Sequence, residues 1–135
     1  MNEISEIKAG PELDVAIVSR VFGENIRSGG KIVPLDNGYA TWVNSTLEHL
    51  YVVPLPPYSA NIDLAWKVVE KMREKYHFTL SDDTNSEIGT HWLAHFYNNR
   101  VTPFISSDSF SSRSETAPLA ICRAALLAVS NGNTL

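Results

Sequence analysis

The sequence predicts α+β architecture: a single domain in which an antiparallel sheet is layered with three amphipathic helices. Three observations predict it. Apolar residues recur at helical spacing in three separated segments, beginning near Pro11, Asn61 and Thr116. Up to six short β-rich runs lie between them, bounded by Gly, Pro, Asn, Asp or Ser. The chain has 135 residues, 44% apolar and 19% charged, which suits one domain of ~100–150 residues with its own core. No internal repeat or linker divides residues 1–135.

The first helix is expected over Pro11–Phe22. Pro11 fits a first helical turn, where its missing N–H costs nothing. Glu12 and Asp14 place negative charge at the positive end of the helix dipole. Leu13, Ala16, Ile17 and Val21 line one face, and Gly23 offers the left-handed conformation that ends helices. Lys31–Leu35, Tyr39–Val43 and His49–Val53 then read as a small antiparallel meander. Gly29-Gly30 reads as a hairpin turn and Asn37-Gly38 as a further turn signal. Pro34 suits an edge strand, and Pro54, Pro56 and Pro57 are expected to stop the last strand.

The second helix is capped by Ser59 or Asn61, with Ile62, Ala65, Trp66, Val69, Met72 and Tyr76 as its apolar stripe. Lys67, Glu70, Lys71, Glu74 and Lys75 form the solvated face. His77–Ser81 and Thr90–Tyr97 follow as strands. In the second, Trp92, Ala94 and Phe96 point one way, and His91, Leu93, His95 and Tyr97 the other. Val101–Ile105 is expected to return as a third strand. Six serines in the nine residues 106–114 predict a mobile loop. The last helix starts near Thr116, with Ile121, Cys122, Ala125, Leu126 and Val129 as its core stripe.

Composition excludes several functions. A single cysteine forbids an intramolecular disulfide and a Cys-only zinc site. The net charge of −4 supplies no global positive field for a nucleic-acid backbone. From Ile62 onward the α-β-β-β-α order matches a double-stranded-RNA-binding module. Yet SSRSETAPLAICRAAL carries two arginines, one glutamate and no lysine, too little charge to span phosphates. No apolar run reaches the ~18–20 residues of a membrane span, and the N-terminus lacks a signal-peptide layout, so a cytoplasmic protein is expected.

His91 and His95 are four apart, which on a helix would suit zinc. On a strand, four residues span ~13 Å, too far for both rings to reach one ion. No metal site and no cofactor are expected. No G-x-S-x-G turn or phosphate-binding glycine loop is present. A more informative grouping joins the Thr90–Tyr97 strand to the serine-rich segment. Arg100 and Arg113 can fork onto phosphate or carboxylate, and the helix start near Thr116 offers free N–H groups to an anion. Trp92, Phe96, Tyr97 and Phe104 could stack on a base. With His91 and His95, the candidate ligand-binding set is Arg100, Arg113, Trp92, Tyr97, His91, His95 and Thr116. The plainer alternative buries Trp92 and Phe96 in the core and leaves the arginines solvated.

Three segments, AGPELDVAIVSRVFG, PPYSANIDLAWKVVEKM and SETAPLAICRAALLAV, together resemble the phage ABA sandwich domain family. The resemblance implies an α-β-α layered domain of phage or prophage origin and carries no catalytic residues. It leads to the expectation of a non-enzymatic accessory protein in the cytoplasm of the infected cell. Such a protein would act by binding as a homo-oligomer, its partner a small nucleotide-like host defence signal. The alternatives are an adaptor that inhibits a host protein and a small nucleotide hydrolase working through His91 or His95.

Overall fold

In a computed structural model, the described residues are 7–24, 26, 29–36, 39–45, 50–82, 92–98 and 109–131. Helix α1 (Pro11–Ala16) runs on into a π-helical stretch, Ile17–Val21, closed by the Phe22 N–H donating to the Ile17 carbonyl at 3.2 Å. Gly23, at φ 75°, ends it as expected. Strands β1 (Lys31–Pro34), β2 (Ala40–Ser45) and β3 (Leu50–Leu55) form one antiparallel sheet in chain order. Helix α2 (Ile62–Met72) leads to β4 (Tyr76–Asp82), β5 (Trp92–Asn98) and β6 (Ser109–Ser114), a second antiparallel sheet. Helix α3 (Ala117–Asn131) follows.

The α+β architecture with antiparallel pairing and three helices is present, with the strands divided between two three-stranded sheets. The main core joins Leu13, Ile17 and Val21 to the inner faces of α2, α3 and the second sheet. A smaller cluster of Val18, Ala40 and Leu55 attaches the first sheet. The first helical segment therefore buries two faces, one toward each cluster.

Several expectations are corrected. The last helix is not amphipathic. Leu119 to Cys122, Ala124 to Leu126 and Ala128 are all buried, because α3 is enclosed by β5, β6, α2 and the π-helical stretch. Even Arg123 is buried, its Nε donating to the Ile7 carbonyl at 2.9 Å and Nη1 to Ser114 Oγ at 3.0 Å. Residues 109–114 of the expected mobile loop are strand β6, since the serines alternate with Phe110 and pair with β5; 106–108 lie outside the described residues. The strand expected at Val101–Ile105 and the turn at Asn37-Gly38 also lie outside them.

Pro54 does not stop β3, which continues to Leu55; β3 is an edge strand, where a missing N–H is tolerated. Pro34 sits on the edge strand β1 as expected. Gly29-Gly30 leads into β1 rather than joining two described strands. A Cβ at Gly30 would stand 2.5 Å from Trp42 Nε1 and 2.8 Å from the Val43 carbonyl oxygen. In α2, Asn61 is the cap, accepting from the Leu64 N–H at 3.2 Å. The buried stripe is Ala65, Val68, Val69 and Met72, while Ile62 and Trp66 are 46% and 42% exposed.

Candidate functional site

Two polar constellations stand out, one buried and one on a sheet face. In the first, Asp14 does not project to solvent at the helix start but turns inward, where it is 1% exposed. Its Oδ1 accepts from the Ser59 N–H at 2.9 Å and the Ser59 hydroxyl at 2.8 Å. Ser59 Oγ in turn accepts from the Gly10 N–H at 2.9 Å. Burial pushes the Asp14 carboxyl up to about 6, against the lowering effect of the Ser59 bonds. Burial also raises Tyr58 and the thiol of Cys122, with the Asp14 charge adding to both. This network ties the Pro56–Asn61 turn to α1 and acts as an internal latch.

The second constellation is the outer face of β4–β6. Alternation along the strands sends Tyr76, Phe78 and Leu80 of β4, Trp92, Ala94 and Phe96 of β5, and Phe110 of β6 toward the core. The residues between them share the opposite face. Register places His77 opposite Tyr97 and Thr79 opposite His95, then Tyr97 opposite Ser109, His95 opposite Ser111 and Leu93 opposite Arg113. The Tyr97 ring neighbours two imidazoles, His77 across the strand pair at a centroid distance of 5.3 Å and His95 two residues back along β5 at 5.2 Å. His95 Nε2 is hydrogen-bonded to Ser109 Oγ. Partial burial holds the His95 imidazole below its usual value, favouring the neutral ring. A cluster of three adjoining rings that shares a sheet face with hydroxyls and a guanidinium can stack on a planar ring and bond to an anion.

Of the predicted ligand set, His95, Tyr97 and Arg113 come together on this face. Trp92 belongs to the opposite face and packs against the core, the plainer of the two readings. Thr116 caps α3, its Oγ1 accepting from the Leu119 N–H at 3.3 Å and its carbonyl from the Ala120 N–H at 3.1 Å. His91 and Arg100 lie outside the described residues. Sequence reasoning missed His77 and Ser109. The missed signal was the period-two order Ser109, Ser111, Arg113 against Phe110, Ser112, Ser114, hidden by reading serine content as loop. Among the described residues no three His, Cys, Asp or Glu side chains form a metal-binding group, and no helix is long and apolar enough to cross a membrane.

Three helical segments packed with two three-stranded antiparallel sheets define a small α+β sandwich protein. The phage ABA sandwich domain matches residues 17–126, and the chain belongs to that family. A crystal structure of a phage protein from Bacillus cereus ATCC 14579 is similar at 25% identity, covering 92% of this chain and 95% of that one, with a TM-score of 0.59. No curated protein matches the chain.

Proposed function

We propose that this phage-family protein acts by binding, without converting, a small nucleotide-like ligand on the outer face of β4–β6, and so sequesters a host defence signal. It would do so in the cytoplasm of the infected cell. The observation that carries the reading is the cluster of three adjoining rings, His77, Tyr97 and His95, with Ser109 and Arg113 on the same face. Base-on-ring stacking contributes ~1–3 kcal/mol per base, and a guanidinium adds charge-assisted bonds to phosphate.

The test is mass spectrometry of the purified protein, native and then denatured, after mixing with extract from defence-activated cells. The expected result is one stoichiometric small molecule released at unchanged mass, lost in Tyr97→Ala and Arg113→Ala variants whose circular dichroism is unaltered. A protein that emerges empty overturns the reading and favours an adaptor that inhibits a host protein, to be sought by partner pull-down.

One observation favours a second reading. The Ser109 hydroxyl is bonded to an imidazole that burial keeps neutral, a pairing in which His95 can take the serine proton as the oxygen attacks. Conversion of the ligand to a product, abolished by Ser109→Ala and by His95→Ala, would establish a hydrolase instead.

A further inference from the structure

The second sheet ends on β4, whose outer backbone edge has no neighbouring strand among the described residues. On α2, Ile62 and Trp66 are 46% and 42% exposed, one helical turn apart. Trp66 meets the Phe78 ring edge-on at 5.9 Å. A cleft of about 440 Å³ opens there, between Trp66, Val69 and Arg73 of the helical segment and Tyr76, His77 and Phe78 of β4. Large apolar side chains exposed beside an open sheet edge mark the place where one more strand would lie. We infer that the strand is β4 of a second copy, paired antiparallel across a two-fold axis to join two sheets into one of six strands.

The sequence of β4 fits its own edge. Tyr76, Phe78 and Leu80 alternate toward the core side, so a second β4 lays the same apolar set beside Trp66. Only registers that pair inward-facing residues with inward-facing residues keep both faces intact. With Phe78 opposite itself, Asp82 of the partner subunit overhangs the turn that precedes Tyr76 and the ladder is shortened at both ends. With Leu80 opposite itself, Asp82 of the partner subunit is pressed against Phe78. With Thr79 opposite itself, Phe78 meets Leu80 of the partner subunit, and Tyr76 meets Asp82 of the partner subunit. That carboxylate then lies beside Arg73 and Lys75. Among the described residues Arg73 has no paired carboxylate. Thr79 is the centre of Tyr76–Asp82, so full overlap of the strand selects its register and charge supports it.

The other edges fit less well. β1 and β3 carry Pro34 and Pro54, which lack the donor a ladder needs. β6 buries Ser112 and Ser114 on its inner side and exposes no apolar row beneath them. Pairing through β4 also makes the outer faces continuous, so two His77–Tyr97–His95 clusters flank the axis.

Sedimentation over a concentration series should show a monomer–dimer equilibrium. Arg73→Glu or Asp82→Arg alone should weaken it by about tenfold or more, and the double variant should restore it. Restoration by the double variant separates a lost contact from a lost fold. Under mild oxidation, Thr79→Cys should form an intermolecular disulfide. Ser81→Cys, which faces His77 of the partner subunit, should not; Cys122 is buried and silent. A monomer at every concentration, a dimer indifferent to both reversals, or crosslinking at Ser81→Cys in place of Thr79→Cys overturns the proposal. So does a monomer whose β4 edge instead takes up an extended leucine-containing acidic peptide. These readouts need no ligand, so they stand or fall apart from the binding function.

Discussion

Asp14 has its carboxyl raised from 3.8 to about 6 by burial that the Ser59 bonds only partly offset. A raised carboxyl means that the folded state holds its proton more tightly than the unfolded chain does. The contribution of Asp14 to stability is therefore greatest below about pH 4, is lost as the pH rises through about 6, and is level above that. Asp14→Asn keeps an oxygen to accept from the Ser59 N–H and hydroxyl but cannot ionise. Urea unfolding from pH 4 to 8 should show the fall in the parent and a flat profile in the variant, which becomes the more stable of the two at pH 7. Parallel profiles would assign the pH dependence to another group. Gly30 acts by space rather than charge. Among the described residues the buried indole N–H of Trp42 has no hydrogen-bond partner, and Gly30 backbone lies against it. Gly30→Ala should cost ~1–3 kcal/mol, as overpacking does, and should shift Trp emission as the indole moves.

At the scale of elements, α2 and α3 differ in how their patterns translate into burial. The charged face of α2 is exposed as read, and Lys71 and Glu74 make a 3.4 Å surface pair worth little. Its stripe is rotated by part of a turn, because Val68 takes the inward position that Ile62 and Trp66 vacate. Helix α3 gathers Ala117, Ala120, Ala124, Ala125 and Ala128 on one side, where small side chains let its neighbours approach closely, and its other sides are buried by β5, β6, α2 and the π-helical stretch. Ala124 is fully buried, so Ala124→Leu should destabilise by ~1–3 kcal/mol. A conventional amphipathic helix would tolerate leucine at one of its alanines. A melting temperature unchanged by Ala124→Leu would show that α3 has an open side.

For the whole molecule, the two clusters differ in size. The main cluster surrounds α3, whereas Val18, Ala40 and Leu55 are the fully buried contacts of the first sheet. Local opening follows the density of buried contacts. Native-state hydrogen exchange should therefore find the α3 amides among the slowest, exchanging by global unfolding. Amides of β1–β3 should open at lower free energy, with Leu50 and Val52 exposed at 67% and 53% on the sheet's outer face. Equal protection in both sheets would mean that they unfold as one unit.

The sequence by itself determined the three helical segments, the meander and the orientation of β5, and narrowed the α2 cap to Ser59 or Asn61, because local periodicity, turn residues and capping chemistry act over a few residues. His95 and Tyr97 could be placed on one strand face from alternation alone. Only tertiary structure decided that Ser109–Arg113 is a strand completing that face, since serine has weak preferences and its state depends on pairing with β5. It also decided that Asp14 faces Ser59 and that α3 is enclosed, because both depend on residues distant in the chain. Burial is a property of what packs around a residue, and a single segment does not carry that information.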